Sequence, residues 1–198
     1  MGGVAQLRVL DSDRAIVAAM RAGNPAGGAA LYDRHRGHVR RVLVRVMGPD
    51  TELDDLMQDV FIAAVDSIER LDDPEALKAW LARIAVFTAR GEIRRRTRRR
   101  WLSLMPPEDL PETPVSGAEA ETLEAARATY RVLSKLPADE RIAFALRFVD
   151  GMELIEVADA CQVSLATIKR RLSRAQQRFA SMASRYEELA EWCAGRGS

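Results

Sequence analysis

The clearest candidate binding residues in this sequence are arginines, because they are concentrated in two separate segments. Residues 90–100 contain seven arginines and one acid, Glu92, and residues 161–185 contain six basic residues and no acid. Guanidinium groups bind phosphate oxygens and can also pair with the edge of guanine. Because neutralising a row of phosphates releases counterions, two separated basic segments predict two contacts with one long polyanion. The alternative is a pair of solvated helix faces.

The first arginine segment is too dense for a single helix face. Residues 94–96 and 98–100 are all arginine, so their mutual repulsion requires a nearby anion. Nucleic acid is one candidate, and the acidic stretch that follows is the other. Residues 102–126 hold six acids and four prolines but no Lys or Arg. Since proline removes backbone donors and disfavours helix before it, residues 102–117 are predicted to form a flexible acidic linker.

Composition limits the class of protein. The chain has 198 residues, of which 47 % are hydrophobic and 30 % charged, with a net charge of +1, which is typical of one medium domain or two small ones. No apolar run reaches the roughly 18 residues of a membrane span, and the N-terminus lacks a signal-peptide pattern. Cys161 and Cys193 lack metal-ligand spacing and are expected to be buried thiols. These features predict a cytoplasmic protein without membrane insertion.

Hydrophobic periodicity is helical throughout, which predicts an all-α fold of two small helical domains joined by the acidic linker. Start and stop signals predict eight helices. Those of the first domain are about 12–22, about 25–47, one capped by Thr51, and one that begins at Asp73 and Pro74 and continues into the arginines. Those of the second domain are about 118–135, about 139–149, about 153–160, and one from Ser164 to about 189.

The arginine-bearing helix is also expected to supply core residues. Its inward positions are predicted to be Leu77, Trp80, Leu81, Ile84 and either Phe87 or Thr88. Trp80 and Phe87 are therefore expected in the core rather than against a nucleic-acid base. Trp101 lies beside the arginines and is the better candidate for stacking on a base.

Residues 153–172 contain the most specific local signal, the pattern of a helix-turn-helix. Ala158 is small where two helices must approach each other, and Val163 is apolar in the turn. Ile168 and Leu172 are spaced by four residues and are expected to face inward. The second helix of such a motif enters the major groove of DNA, where its first residues reach base edges.

The turn of this motif has one favourable and one unusual residue. Ser164 is suited to cap the second helix, which, with the basic run, favours a DNA-binding motif over a plain helical hairpin. Gln162 stands where glycine is common, which costs about 1 kcal/mol if its φ angle is positive.

Three stretches resemble the extracytoplasmic-function (ECF) group of RNA polymerase sigma factors, which belongs to the sigma-70 family. Residues 53–61, LDDLMQDVF, resemble region 2.2, and residues 79–85, AWLARIA, resemble region 2.3. Residues 136–152 and the helix-turn-helix after them resemble region 4. The order, spacing and linker agree with the family, so the resemblance covers about residues 11–182.

The resemblance implies a function and a set of partners. Residues 11–101 would be sigma region 2, which contacts core RNA polymerase and the −10 element of promoter DNA. Residues 118–189 would be sigma region 4, which reads the −35 element. The implied partners are core RNA polymerase, promoter DNA and an anti-sigma factor, and no cofactor or catalytic residue is implied.

The resemblance also assigns roles to three sets of residues. The polymerase-binding set is Asp55, Leu56, Gln58, Asp59 and Phe61. The −10 set is Thr88, Arg90, Arg94, Arg95, Arg98 and Trp101, with residues 68–73 as a candidate loop beside them. The −35 set is Ser164, Thr167, Lys169, Arg170, Arg171, Arg174 and Arg178. Phe87 and Gly91 differ from the Asn and Asp that the family often has at these positions.

The alternatives to a sigma factor are an enzyme and a stand-alone DNA-binding regulator. An enzyme would need a catalytic motif, but His35 and His38 lie among arginines that repel metal cations, and no glycine-rich phosphate loop or nucleophile motif is present. A stand-alone helix-turn-helix regulator would need only the second domain. Association with core polymerase distinguishes it from a sigma factor.

Overall fold

The computed structural model describes residues 10–50, 52–103, 118–186 and 189, and this part of the chain is all-α as predicted. The helices are α1 Asp13–Arg21, α2 Pro25–Met47, α3 Leu53–Ser67, α4 Leu77–Ser103, α5 Ala118–Leu133, α6 Ala138–Phe144, α7 Leu154–Cys161 and α8 Leu165–Ala183. We refer to α1–α4 as the first module and to α5–α8 as the second module. Residues 104–117, which hold most of the predicted linker, lie outside the described residues.

Local capping explains where several helices begin. The Ser12 hydroxyl accepts a hydrogen bond from the Ala15 N–H at 3.2 Å, and the Asn24 side chain accepts one from Ala26 at 3.0 Å before Pro25 opens α2. Such caps satisfy N–H groups that lack intrahelical partners. These two starts are confirmed, whereas Thr51 lies outside the described residues.

Three helix boundaries differ from the prediction. A short 3-10 turn, Pro74–Ala76, separates the Asp73 cap from α4. The predicted helix at about 139–149 is divided into α6 and a π-helical turn, Ala145–Val149. The last helix ends at Ala183 rather than near residue 189, because the chain turns there and brings the Tyr186 ring against the cationic ends of Arg131 and Lys135.

The core of the first module is formed where α2, α3 and α4 meet. Trp80 is buried there, as predicted, but Phe87 is 72 % exposed, so the prediction of an inward Phe87 is wrong. Ala85 and Ala89 face the core, and Phe87 lies two residues from each, which places it about 200° round the helix. Thr88 takes the partly buried position instead.

The two modules share a continuous apolar core. Ile142, Leu146 and Ile168 of the second module belong to the same buried cluster as Leu43 and Leu81 of the first. A second cluster lies within the second module, where the rings of Phe144 and Phe179 stack with centroids 4.6 Å apart. The modules are therefore packed on each other in this arrangement.

The C-terminal end of α2 is capped by the second module. The last four carbonyls of an α-helix lack intrahelical donors. The Tyr130 hydroxyl lies 3.1 Å from the carbonyl oxygens of both Val44 and Arg45. Arg141, which is only 7 % exposed, donates to the carbonyls of residues 46 and 47 at 3.0 and 2.8 Å. The second module therefore supplies donors at the end of α2, where the Gly48 N–H also donates to the Val44 carbonyl at 2.8 Å.

Gly48 follows α2 at this junction and must be glycine for two reasons. Its φ angle is +84°, a conformation that other residues rarely adopt. A Cβ atom at this position would also lie 2.8 Å from the Tyr130 ring. The close approach of the second module therefore depends on the missing side chain.

Acidic residues of the first module relieve the repulsion within the arginine segment. Arg96 forms ion pairs with Asp50, with Glu52 at 2.7 Å and with Glu92 at 2.6 Å, and Arg95 lies 2.6 Å from Glu92. Burial opposes ionisation of Asp50 and Glu92, but hydrogen bonds from these arginines outweigh it and lower the pKa of both carboxyls. The module thus supplies anions that the sequence pattern required.

We expect Arg96→Met to lower the free energy of unfolding by about 1–3 kcal/mol, because Asp50 and Glu92 lose their main partner. The lowered pKa values mean that this stabilisation is present above about pH 4 and is lost as the pH falls through the folded pKa. The difference in unfolding free energy between the variant and wild type should therefore be larger at neutral pH than at a pH below about 4. Denaturant unfolding followed by circular dichroism at both pH values measures this, with exposed Arg98→Met as the control. Equal losses in the two variants would contradict the role of the cluster.

Candidate nucleic-acid interface

Helices α7 and α8 form the predicted helix-turn-helix. Gln162 in the turn has a positive φ of 54°, and its side chain donates to the Asp159 carbonyl at 2.9 Å, which offsets part of the cost of that conformation. The Ser164 hydroxyl accepts a hydrogen bond from the Thr167 N–H at 3.2 Å and caps α8. Ile168 and Leu172 are buried, as predicted.

The −35 set lies along the exposed side of α8. Lys169, Arg170, Arg174 and Arg178 are exposed, and Thr167 is partly buried. Arg170, Arg174 and Arg178 recur at intervals of four residues, which places them on one helix face. Helix α8 itself carries no acidic side chain, although Arg178 Nη1 lies 3.2 Å from the Glu140 carboxylate of α6, so the exposed arginines are suited to a polyanion.

Arg171 is less exposed than the other basic residues of the −35 set. Its side chain is 21 % exposed, and Nη2 lies 3.3 Å from the carboxylate of Asp139. This arginine is therefore paired within the chain rather than free for DNA in the arrangement described.

The −10 set lies along α4 and is only partly accessible. Arg94, Arg95 and Arg98 are exposed, whereas Arg90 and Thr88 are partly buried. The Trp101 side chain lies outside what the structure describes. Arg90 Nε is 2.9 Å and Arg94 Nη2 is 3.3 Å from the same Asp139 carboxylate. Asp139 thus joins members of the −10 and −35 sets.

Phe87 is a candidate that sequence reasoning missed. Its ring is exposed on α4, and Gly91 lies one turn further along the helix with no atom within 4 Å of where a Cβ would stand. A flat apolar ring with open space beside it is suited to stacking against a nucleic-acid base. The departure of both positions from the family pattern was the available signal.

The polymerase-binding set lies on α3. Asp55, Gln58 and Asp59 are exposed on the helix, and Leu56 and Phe61 are buried beneath them. The three polar residues are spaced by three and four positions, so they share one face.

An open groove of about 790 Å³ lies beside this face, between α2 and α3. Tyr32 and Phe61 pack edge to face in it with ring centroids 4.9 Å apart. Tyr32, Ile62 and Val65 remain exposed along the groove. An apolar groove beside polar side chains has the composition of a protein-binding surface.

Within the described ranges, no group of three or more His, Cys, Asp or Glu is placed to hold a metal ion, and no helix is long and apolar enough to span a bilayer. Cys161 is a buried free cysteine, as predicted, and burial raises the pKa of its thiol. Cys193 lies outside the described residues.

Two family models match the chain, one in each module. The family model for Sigma-70 region 2 matches residues 31–99, and the model for Sigma-70, region 4 matches residues 126–178. RNA polymerase sigma factor CnrH of Cupriavidus metallidurans is 29 % identical over 184 residues, covering 87 % of this chain and 94 % of that protein. The ECF RNA polymerase sigma-E factor of Escherichia coli K12 is 25 % identical over 185 residues, covering 84 % and 91 %.

Two solved structures share the fold. CnrH in complex with the cytosolic domain of CnrY aligns with a TM-score of 0.59 at 24 % identity, covering 89 % of this chain and all of that one. The sigma factor RpoE in complex with the anti-sigma factor NepR, from Bartonella quintana, aligns with a TM-score of 0.55 at 24 % identity, covering 74 % and 89 %. With both regions present in family order, the chain belongs to the sigma-70 family of RNA polymerase sigma factors, in its extracytoplasmic-function group.

Proposed function

We propose that this sigma factor divides its contacts between two parts of the chain. Residues 11–101 bind core polymerase and the −10 element, residues 118–189 read the −35 element, and residues 102–117 connect them. The observation that carries the proposal is the capped helix α8 with its exposed basic face, in one chain with the polar face of α3. The polymerase performs the chemistry, so the chain is not itself an enzyme, and we place it in the cytoplasm. A stand-alone regulator leaves the region 2 match unexplained.

In the −35 contact, α8 enters the major groove. Arg170 in the second turn of the helix and Arg174 in its middle are exposed and reach base edges, since arginine pairs with guanine. Lys169 and Arg178 bind phosphates, which positions the helix without reading sequence. Arg171 joins the base-contacting residues, together with Thr167, once it is released from Asp139.

We expect Arg170→Glu with Arg174→Glu to abolish promoter-specific run-off transcription by purified core polymerase and this chain. Each lost base contact costs about 1–3 kcal/mol, and the added carboxylates repel phosphates. Duplex binding and run-off assays measure the loss, and core binding by the same variant is the control. A variant that loses core binding as well would contradict the division of roles.

In the polymerase contact, the exposed polar face of α3 and its apolar groove act together. The side chains of Asp55, Gln58 and Asp59 pair with polar or basic groups on the polymerase, and the groove beside Phe61 accepts an apolar side chain. Polar contacts around an apolar centre are the usual anatomy of a protein interface.

We expect Gln58→Ala with Asp59→Ala to weaken core polymerase binding by about 1–3 kcal/mol. Fluorescence anisotropy of the labelled chain, titrated with core enzyme, measures the affinity. Glu69→Ala, at an exposed acid ten residues beyond Asp59, should bind as wild type does. Unchanged affinity in the double variant would remove these residues from the interface.

In the −10 contact, we infer that Phe87 stacks on an unpaired base while Arg94, Arg95 and Arg98 bind the backbone of that strand. Base-aromatic stacking needs an accessible ring, and the exposure of Phe87 supplies one. Gly91 leaves room for the base because it adds no side chain one turn away.

We expect Phe87→Ala to weaken binding of single-stranded −10 DNA by the holoenzyme by about 1–3 kcal/mol, and Phe87→Trp to retain it. Quenching of 2-aminopurine in the oligonucleotide reports stacking directly. Ile155→Ala is the matched control, because Ile155 is an equally exposed apolar residue on α7. Equal quenching by wild type and Phe87→Ala would exclude the ring as the stacking group.

We also propose an anti-sigma factor as a regulatory partner. The support is that the solved relative RpoE is described in complex with the anti-sigma factor NepR, and that its fold is shared by this chain. Co-purification from the native host identifies such a partner.

A further inference from the structure

The candidate −10 loop, residues 68–73, is held from outside by the first helix. Leu71 lies within this loop, and its side chain is buried in the core of the first module. The Leu71 carbonyl accepts a hydrogen bond from Nη2 of Arg21, which lies in the last turn of α1. Arg21 Nε also lies 3.8 Å from the Glu69 carboxylate. A residue fifty positions earlier in the chain therefore contacts the backbone of the loop.

The bond from Arg21 to the Leu71 carbonyl is the strongest contact between α1 and the segment before α4. Arg14 pairs with Glu75 at 3.6 Å, but their side chains are 71 % and 67 % exposed, and Glu69 is 73 % exposed. Ion pairs this exposed contribute little, because water screens them. A charged donor to a partly buried carbonyl contributes more, and its removal leaves that carbonyl without a partner.

Helix α1 is a firm support for this contact. At its start, the Asp13 carboxylate accepts a hydrogen bond from Arg34 of α2 at 2.8 Å. Near its end, α1 lies close to Gly27 of α2, where a Cβ atom would stand 2.8 Å from the backbone nitrogen of Met20. Close packing of this kind leaves little freedom for the last turn of α1. The backbone that carries Arg21 is therefore fixed relative to α2.

The loop keeps two charged side chains free. Arg70 and Asp72 are exposed and form no ion pair or hydrogen bond with other residues in the described part of the chain. Asp73 differs, because its carboxylate accepts a hydrogen bond from the Glu75 N–H at 3.0 Å. A guanidinium group can bind phosphate, and a carboxylate can accept a hydrogen bond from the amino group of cytosine. Such bonds depend on distance and angle, so the loop must be held in one position.

We propose that Arg21 is a positioning residue for −10 recognition. It does not touch DNA but, through the Leu71 carbonyl, holds residues 68–73 in the geometry that distinguishes bases. The inference rests on the proposed function, because it concerns the −10 contact made by residues 11–101. Phosphate contacts by the arginines of α4 carry no sequence information and do not depend on the loop. Loss of Arg21 therefore lowers discrimination between bases more than it lowers overall affinity.

The test uses the full-length chain assembled with core polymerase. Wild-type holoenzyme first selects a −10 sequence from single-stranded oligonucleotides that are randomised over the element. Fluorescence anisotropy then measures the affinity for the selected oligonucleotide and for its single-base variants. The ratio of these affinities is the discrimination. Misfolded molecules would lower binding to every oligonucleotide equally, so a merely structural role of Arg21 would leave this ratio unchanged.

Three variants separate position from charge. Arg21→Met keeps the apolar stem but removes the donor, whereas Arg21→Lys keeps a donor and the charge. Arg14→Met is the matched control, because it removes the same charge from the same helix and leaves the bond to Leu71 intact. We expect Arg21→Met to reduce discrimination roughly threefold to tenfold, Arg21→Lys to restore most of it, and Arg14→Met to discriminate as wild type does.

Unchanged discrimination in Arg21→Met would overturn the inference, whether or not overall affinity falls. An equal loss in Arg14→Met would assign the effect to charge, and would overturn it as well. The same experiment separates this inference from the proposed function. If wild-type holoenzyme selects no sequence, the proposed −10 contact fails and this inference fails with it. If it selects a sequence that Arg21→Met distinguishes equally well, only this inference fails.

Discussion

The hydrogen bonding at the C-terminal end of α2 is the constraint on which the described arrangement depends. A helix end packed against another part of the protein must find donors for its last carbonyls, since water is excluded there. Tyr130 and Arg141 supply donors for the carbonyls of residues 45–47, and both belong to the second module. Once they are in place, the positions of α6, α7 and α8 relative to α4 follow, and so do the contacts made by Asp139.

The net charge of the chain is only +1, but its charged residues form local clusters of ion pairs. Arg96 is tied to carboxylates of its own module, and Arg90 is tied to one from the other module. The two kinds of pairing have different consequences. The first stabilises the helix that carries the arginines, whereas the second joins that helix to the second module.

Features with local causes could be predicted from the sequence. Ser12, Asn24 and Ser164 cap helices within three residues of themselves, and the helix-turn-helix has its own spacing of small and apolar residues. Phe87 was placed wrongly because the hydrophobic residues of α4 are not confined to one face of the helix. Neighbouring residues were therefore equally plausible core positions. The partnership of Arg141 with α2 spans about 95 residues of chain and has no local pattern, and Asp139 resembled an ordinary acid in the first turn of a helix.

The shared apolar core has an energetic consequence for any extended form of the molecule. Ile142 and Leu146 are buried in the same cluster as residues of the first module. Moving the modules apart would wet part of that cluster, and each square ångström of apolar surface so exposed costs about 25 cal/mol. An extended molecule alone in water would therefore be a minor population. A large protein that covered this newly exposed surface would stabilise the extended form. Core polymerase would then replace water as the neighbour of the apolar surface between the modules.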